Sequence, residues 1–103
     1  MQVGRTKYGA AGIASFTEYA YGGTAITVAS EDGEPLYRAT VFMDGHVLPP
    51  DEVWIKDWSE NEGVADALVK AGIVTLTGRT LQAGYATALH AKLTPAAIAA
   101  QAF

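Results

Sequence analysis

The chain reads as an α+β protein: a mainly antiparallel sheet of four to five strands, hairpin and meander first. One principal helix packs on the sheet, and a short helix closes the C-terminus. Three observations predict it. Runs rich in β-branched and aromatic residues are separated by the turn signals Gly22-Gly23 and Asp32-Gly33. An apolar stripe at helical spacing, Val64, Leu68 and Ala71, ends at Gly72. The pair Thr94-Pro95 opens an Ala-rich segment. The 103 residues suit one domain spanning 1–103 and a core that needs no staples. Residues 1–8 and 102–103 are expected to fray.

The elements follow in order. Residues 13–20 and Thr24–Ser30 read as a hairpin about Gly22-Gly23, where a type I′ turn needs positive φ twice. The turn Glu31-Asp32-Gly33-Glu34 leads into Leu36–Met43, completing a meander. Asp44–Asp51 is a loop, because Pro49-Pro50 cannot donate ladder hydrogen bonds. Val53–Asp57 alternates as a short strand, and Trp54, Lys56 and Trp58 share its second face. Ser59-Glu60-Asn61-Glu62 matches a capping box, with Ser59 and Glu62 each closing on the other's N–H, and opens a helix to about Ala71. Gly72 suits its C′ position. Ile73–Leu76 reads as a short extended piece, Thr77–Gly84 as a loop and Tyr85–Leu93 as the last strand, with His90 and Lys92 on its outer face. The final helix runs from Ala96 to about Gln101 and is expected to dock through Ile98 and Phe103. The core is expected from Ile13, Phe16, Ile26, Val28, Leu36, Val41, Phe42, Val53, Ile55, Leu68, Val69, Ile73, Leu89 and Leu93.

Charge is the loudest chemical signal. Between Glu31 and Asp66 stand ten carboxylates against Arg38 and Lys56, a net of −8. The rest of the chain sets five cations against Glu18, a net of +4. Such asymmetry bears on association rather than on fold. An acidic balance opposes general nucleic-acid affinity, which needs Lys and Arg at phosphates. The chain has no Cys, so disulfides, thiolate metal sites and a Cys nucleophile are out, and a reducing cytoplasm fits. No apolar run approaches the roughly 20 residues that span a bilayer, and no signal-peptide pattern opens the chain.

Candidate chemistry is sparse. Asp57, Glu60, Glu62 and Asp66 cluster, but their spacing is not that of a calcium loop, and capping with a solvated face accounts for them. No metal or cofactor is expected. His46, on the Gly-Pro loop, and His90 are the available acid–base groups, and neither has a motif partner in sequence. Thr77-Gly78-Arg79-Thr80 is a turn that lacks the phosphate-loop pattern. Trp54 and Trp58 are either covered by a neighbouring loop or exposed beside the carboxylates as a binding hot spot, which Tyr19, Tyr21 and Tyr37 could extend.

The run Trp54-Ile55-Lys56-Asp57-Trp58-Ser59-Glu60-Asn61-Glu62-Gly63 stands with Gly33-Glu34-Pro35 upstream and Thr77-Gly78-Arg79-Thr80 and Gly84-Tyr85 downstream. Over roughly residues 16–93 it resembles a family of small uncharacterised proteins of phages, plasmids and other bacterial mobile elements. The Ala-rich tail after Leu93 departs from that pattern. The resemblance implies an accessory gene, a class in which small inhibitors of host defence are common, and it carries over no catalytic residue. Three functions stay open. The first is a non-enzymatic inhibitor of a bacterial defence complex, such as an anti-CRISPR protein. It would dock on a positively charged channel through an acidic face built from Glu31, Asp32, Glu34, Asp57, Glu60, Glu62 and Asp66 with Trp54 and Trp58. Its partner is a protein, without direct nucleic-acid or membrane contact, in the cytoplasm of a bacterial host. The second is a structural or oligomerising accessory protein, a homodimer included. The third is a small enzyme or ligand-binding domain using His46 or His90.

Overall fold

A computed structural model describes residues 1–101. Seven strands form two antiparallel sheets. The first has the order β1 (Gln2–Val3), β2 (Gly12–Glu18), β3 (Thr24–Ala29), β4 (Pro35–Arg38). The second has β5 (Glu52–Ile55) and β6 (Val74–Ala83) on either side of β7 (Ala86–Leu93). Residues 39–41 stitch the sheets together. The Ala39 N–H donates to the Ile26 carbonyl on one side, and the Lys56 N–H donates to the Ala39 carbonyl on the other. Thr40 bridges to Ile55, and its buried hydroxyl accepts the Ile26 N–H and bonds the Tyr19 hydroxyl. The fold class is α+β.

Helix α1 (Val64–Lys70) covers the sheets through Val64 and Leu68, both essentially buried. They meet Val3, Ile26, Val28, Val53, Ile55, Ile73 and Leu93 in one cluster. Val3 corrects the expectation that residues 1–8 fray: β1 pairs with β2, and the Val3 side chain lies in the core. Ile13, Leu36 and Val69, expected in the core, are exposed instead. Helix α1 ends as expected. Gly72 has φ +74, the Gly72 N–H donates to the Val69 carbonyl, and the Ile73 N–H reaches back to Leu68. These two bonds satisfy carbonyls the helix end leaves open.

Its start differs from the capping box. Ser59–Asn61 forms a separate 3₁₀ turn, and Ser59 sits at φ 54. The Ser59 side chain caps nothing, and α1 begins only after Gly63. Asp57 takes the capping role: its Oδ1 accepts the Ala65 N–H at 2.9 Å. The buried Asn61 amide donates to the Arg38 carbonyl and ties this connection to the first sheet.

The Thr77–Gly84 loop is also corrected. Those residues belong to the ten-residue strand β6 and its turn. The register against β7 slips between Leu76 and Thr80, so Thr77-Gly78-Arg79 is a bulge, with Gly78 at φ +88. Glycine inside a strand marks a bulge as readily as a loop. Helix α2 (Pro95–Gln101) starts as expected, with the Thr94 hydroxyl accepting the Ala97 N–H. It docks through Ala97, fully buried, while Ile98 is exposed. Phe103, and the expected fraying of 102–103, lie outside the described residues.

Candidate protein-interaction site

Antiparallel order decides which turns share an end of the fold. Strand direction alternates from β3 through residues 39–41, β5 and β7 to β6. The connections that follow β3, β5 and β6 therefore leave from the same end. The first carries Glu31, Asp32 and Glu34, the second Asp57, Glu60 and Glu62, and the third the turn Gly84-Tyr85. Asp44 and Asp51 belong to the opposite end, and Asp66 stands on α1.

A single uncompensated acidic face is not what results, because most of the helix-start charge is neutralised locally. Lys7 Nζ lies 2.9 Å from Glu62, Lys56 Nζ 2.5 Å from Glu60, and Lys70 Nζ 2.9 Å from Asp66. The hydrogen bond from Lys56 holds the Glu60 carboxyl below the usual glutamate range. The hydrogen bonds to Glu62 and Asp66 raise Lys7 and Lys70. Asp57 is engaged by the helix N-terminus. Glu31, Asp32 and Glu34 remain exposed, with no ion pair among the described residues.

The aromatic part of the expected face also changes. Trp54 is 6 % exposed, and its indole N–H donates to the His46 carbonyl at 3.0 Å, so it lies under the 44–51 loop rather than exposed beside the carboxylates. Trp58 is half-buried, with the Lys56 ammonium 5.9 Å from its ring. Tyr37 is largely covered, and burial raises its phenol. Tyr85 was not singled out for binding from the sequence, yet it is fully exposed at the tip of the β6–β7 hairpin. Only Leu89–Lys92 of β7 pair with β5, so Ala86–Ala88 project past its end. From Thr80 to Leu89 this finger holds no charged residue. Turn glycine followed by tyrosine was the available signal.

His90 is the largest correction. It is 2 % exposed rather than on an outer face. Its Nε2 lies 2.6 Å from Glu52 Oε1 and its Nδ1 2.5 Å from Thr77 Oγ1. A carboxylate only accepts, so with a neutral ring Nε2–H donates to Glu52 and the Thr77 hydroxyl donates to Nδ1. The chain carboxylate–imidazole–hydroxyl joins β5, β7 and the β6 bulge. The Trp54 and His90 rings pack edge to face, their centroids 5.3 Å apart. Arg79 of the bulge stands 5.7 Å from the Trp54 ring. His46 is exposed on its loop and contributes its carbonyl to Trp54.

Among the described residues no cluster of three or more His, Asp or Glu could hold a metal ion, and no helix is long and apolar enough to cross a membrane. Comparison with protein-family models, curated proteins and solved structures finds no match.

Proposed function

We propose that this chain is a non-enzymatic accessory protein of a bacterial mobile element that inhibits a nucleic-acid-handling defence complex, in the manner of an anti-CRISPR protein, in the host cytoplasm. The observation that carries the reading is the shared end of β3, β5 and β6. There the unpaired Glu31, Asp32 and Glu34 stand at the same end of the sheets as an uncharged finger tipped by Tyr85. Acidic groups steer a small protein toward a basic channel and raise association rates about 10- to 1,000-fold. An exposed Tyr supplies rigid contact area once it arrives.

The test uses a purified CRISPR effector and two variants, Glu31→Lys/Asp32→Lys/Glu34→Lys and Tyr85→Ala. The charge variant is expected to associate at least about tenfold more slowly at low salt, the gap closing as salt rises. Tyr85→Ala is expected to speed dissociation. Unchanged inhibition by both variants refutes the reading.

A second reading, hydrolysis, is favoured by one observation: the Glu52–His90–Thr77 chain ends on a residue exposed at a bulge. A base-activated hydroxyl is a nucleophile arrangement. Ester turnover that is abolished by Thr77→Val supports it; no turnover above buffer rejects it.

A further inference from the structure

A cleft that the reading above leaves unused opens between the strand junction at residues 38–42 and the 56–61 connection. It offers about 460 Å³, within the roughly 300–1,000 Å³ of small-molecule sites. Tyr19, Val41 and Phe42, each half-buried, give it apolar lining. The Tyr19 and Phe42 rings pack edge to face, their centroids 5.3 Å apart, and the Tyr19 hydroxyl is held by Thr40 at 2.8 Å. The buried Asn61 also lines the cleft, and its amide donates to the Arg38 carbonyl at 2.6 Å, which ties the connection to the junction. The walls are therefore set before a ligand arrives.

Three charged residues line the cleft: Arg38, Lys56 and Glu60. Arg38 and Lys56 are the two cations of the acidic 31–66 stretch, and both meet here. Lys56 and Glu60 neutralise each other as an ion pair. Arg38 has no ion pair among the described residues, and its guanidinium stands 5.5 Å from the Tyr19 ring. Stacking occupies the face of a guanidinium and leaves its N–H fork open to a carboxylate. The lining thus carries one uncompensated positive charge. Of the carboxylates next to it in sequence, Asp57 accepts the Ala65 N–H and Glu62 pairs with Lys7. Glu18, Glu34 and Asp44 stand within two residues of lining positions without lining the cleft themselves. Their field disfavours an anion of higher charge.

We infer that this cleft binds a small planar aromatic molecule that bears one carboxylate. The carboxylate takes the Arg38 fork, and the ring lies along Tyr19, Val41 and Phe42. Glu60 competes with the ligand for Lys56, so the second cation joins the site only when Glu60 releases it.

The test is an NMR titration of the full ¹⁵N-labelled chain with indole-3-acetate. Indole-3-acetamide removes the charge and keeps the ring; cyclohexylacetate keeps the charge and removes the planar ring. Saturable shifts of the Arg38, Val41, Phe42 and Lys56 amides are expected with indole-3-acetate, and weaker binding of both analogues. Arg38→Gln, at an exposed side chain, is expected to weaken indole-3-acetate at least about tenfold and leave the rest of the spectrum in place. Glu60→Gln frees Lys56 and is expected to tighten binding about two- to fivefold, which a merely structural role for Glu60 does not do. Four results overturn the inference: no saturation at millimolar indole-3-acetate, equal binding of the acetamide, shifts centred away from residues 38–42 and 56–61, or binding unchanged in Arg38→Gln. A fifth is tighter binding of the peptide Gly-Gly-Trp than of the free acid, which assigns the cleft to the end of a protein chain. No effector enters the experiment, and neither Glu31–Glu34 nor Tyr85 is altered, so its outcome is independent of the defence-inhibitor reading.

Discussion

Replacing His90 by leucine tests the buried polar chain most directly. The ring is 2 % exposed and its two nitrogens hold Glu52 and Thr77. The bond to the carboxylate is charge-assisted and contributes about 1.5–3 kcal/mol; the bond from the Thr77 hydroxyl contributes about 0.5–1.5. Two features soften the loss. The Glu52 side chain keeps 18 % exposure and can regain water. The Thr77 hydroxyl also lies 3.3 Å from the backbone carbonyl of residue 90 and can donate there. Leucine fills similar space. His90→Leu is therefore expected to cost about 2–4 kcal/mol, a large share of the roughly 5–15 kcal/mol that holds such a domain. Thr77→Val is expected to cost only about 0.5–1.5 kcal/mol. Removing both ends, in His90→Leu with Glu52→Leu, leaves no buried carboxylate behind, so the double variant should lose less than the sum, with a coupling of about 1.5–3 kcal/mol. Urea unfolding followed by tryptophan fluorescence measures these three variants and the Glu52→Leu single that completes the cycle, because Trp54 packs against the imidazole. A His90→Leu variant within about 0.5 kcal/mol of the parent, or strict additivity in the cycle, refutes the reasoning.

Three further outcomes follow from single contacts. Tyr37→Phe removes a buried hydroxyl with no hydrogen-bond partner among the described residues and is expected to raise stability by about 1 kcal/mol in urea unfolding. Asp57→Ala removes the side-chain acceptor of the Ala65 N–H and should cost about 0.5–2 kcal/mol, with amide exchange accelerated in the first turn of α1. Glu60 has a lowered folded pKa, so its pair with Lys56 acts above the unfolded value and is lost as pH falls through the folded one. Lys56→Met should return the Glu60 carboxyl toward the ordinary glutamate range in an NMR pH titration.

Local turn chemistry and periodicity made the meander, the Gly72 helix stop and the Thr94 cap legible, since each is decided within a few residues. What was not legible depended on partners far along the chain. Val3 is apolar in a polar stretch, and only its neighbours across β2 and α1 make it core. Ser59 and Glu62 fit a capping box by spacing, yet Lys7 takes Glu62 and Asp57 reaches the helix first. A Thr-Gly-Arg run carries the same signal in a loop and in a bulge; the long β7 pairing chose the bulge. Strand alternation placed His90 opposite Leu89 and Ala91 but could not say that Trp54, Glu52 and Thr77 would cover that second face. The same covering removed Trp54 from the candidate binding residues.

Pairing also changes what the charge asymmetry can do at a distance. Exposed ion pairs add little to stability, but they cancel the far field of Glu60, Glu62 and Asp66. The exposed carboxylates left without ion pairs among the described residues fall into two groups, Glu31, Asp32 and Glu34 at one end of β3 and Glu18, Asp44 and Asp51 at the other. Six strand residues separate the ends, about 20 Å at 3.3 Å per residue, against a screening length of about 8 Å at physiological salt. The two groups are therefore electrostatically separate, and the fully exposed Tyr85 stands at the first end. Under the proposed function, charge reversal of Glu31, Asp32 and Glu34 should slow association with a basic effector and lower its salt dependence, while reversal of Glu18, Asp44 and Asp51 leaves that rate unchanged. Stopped-flow association of the effector with each variant across a salt series measures this. Equal slowing by either reversal would mean that net charge, rather than its placement, governs capture.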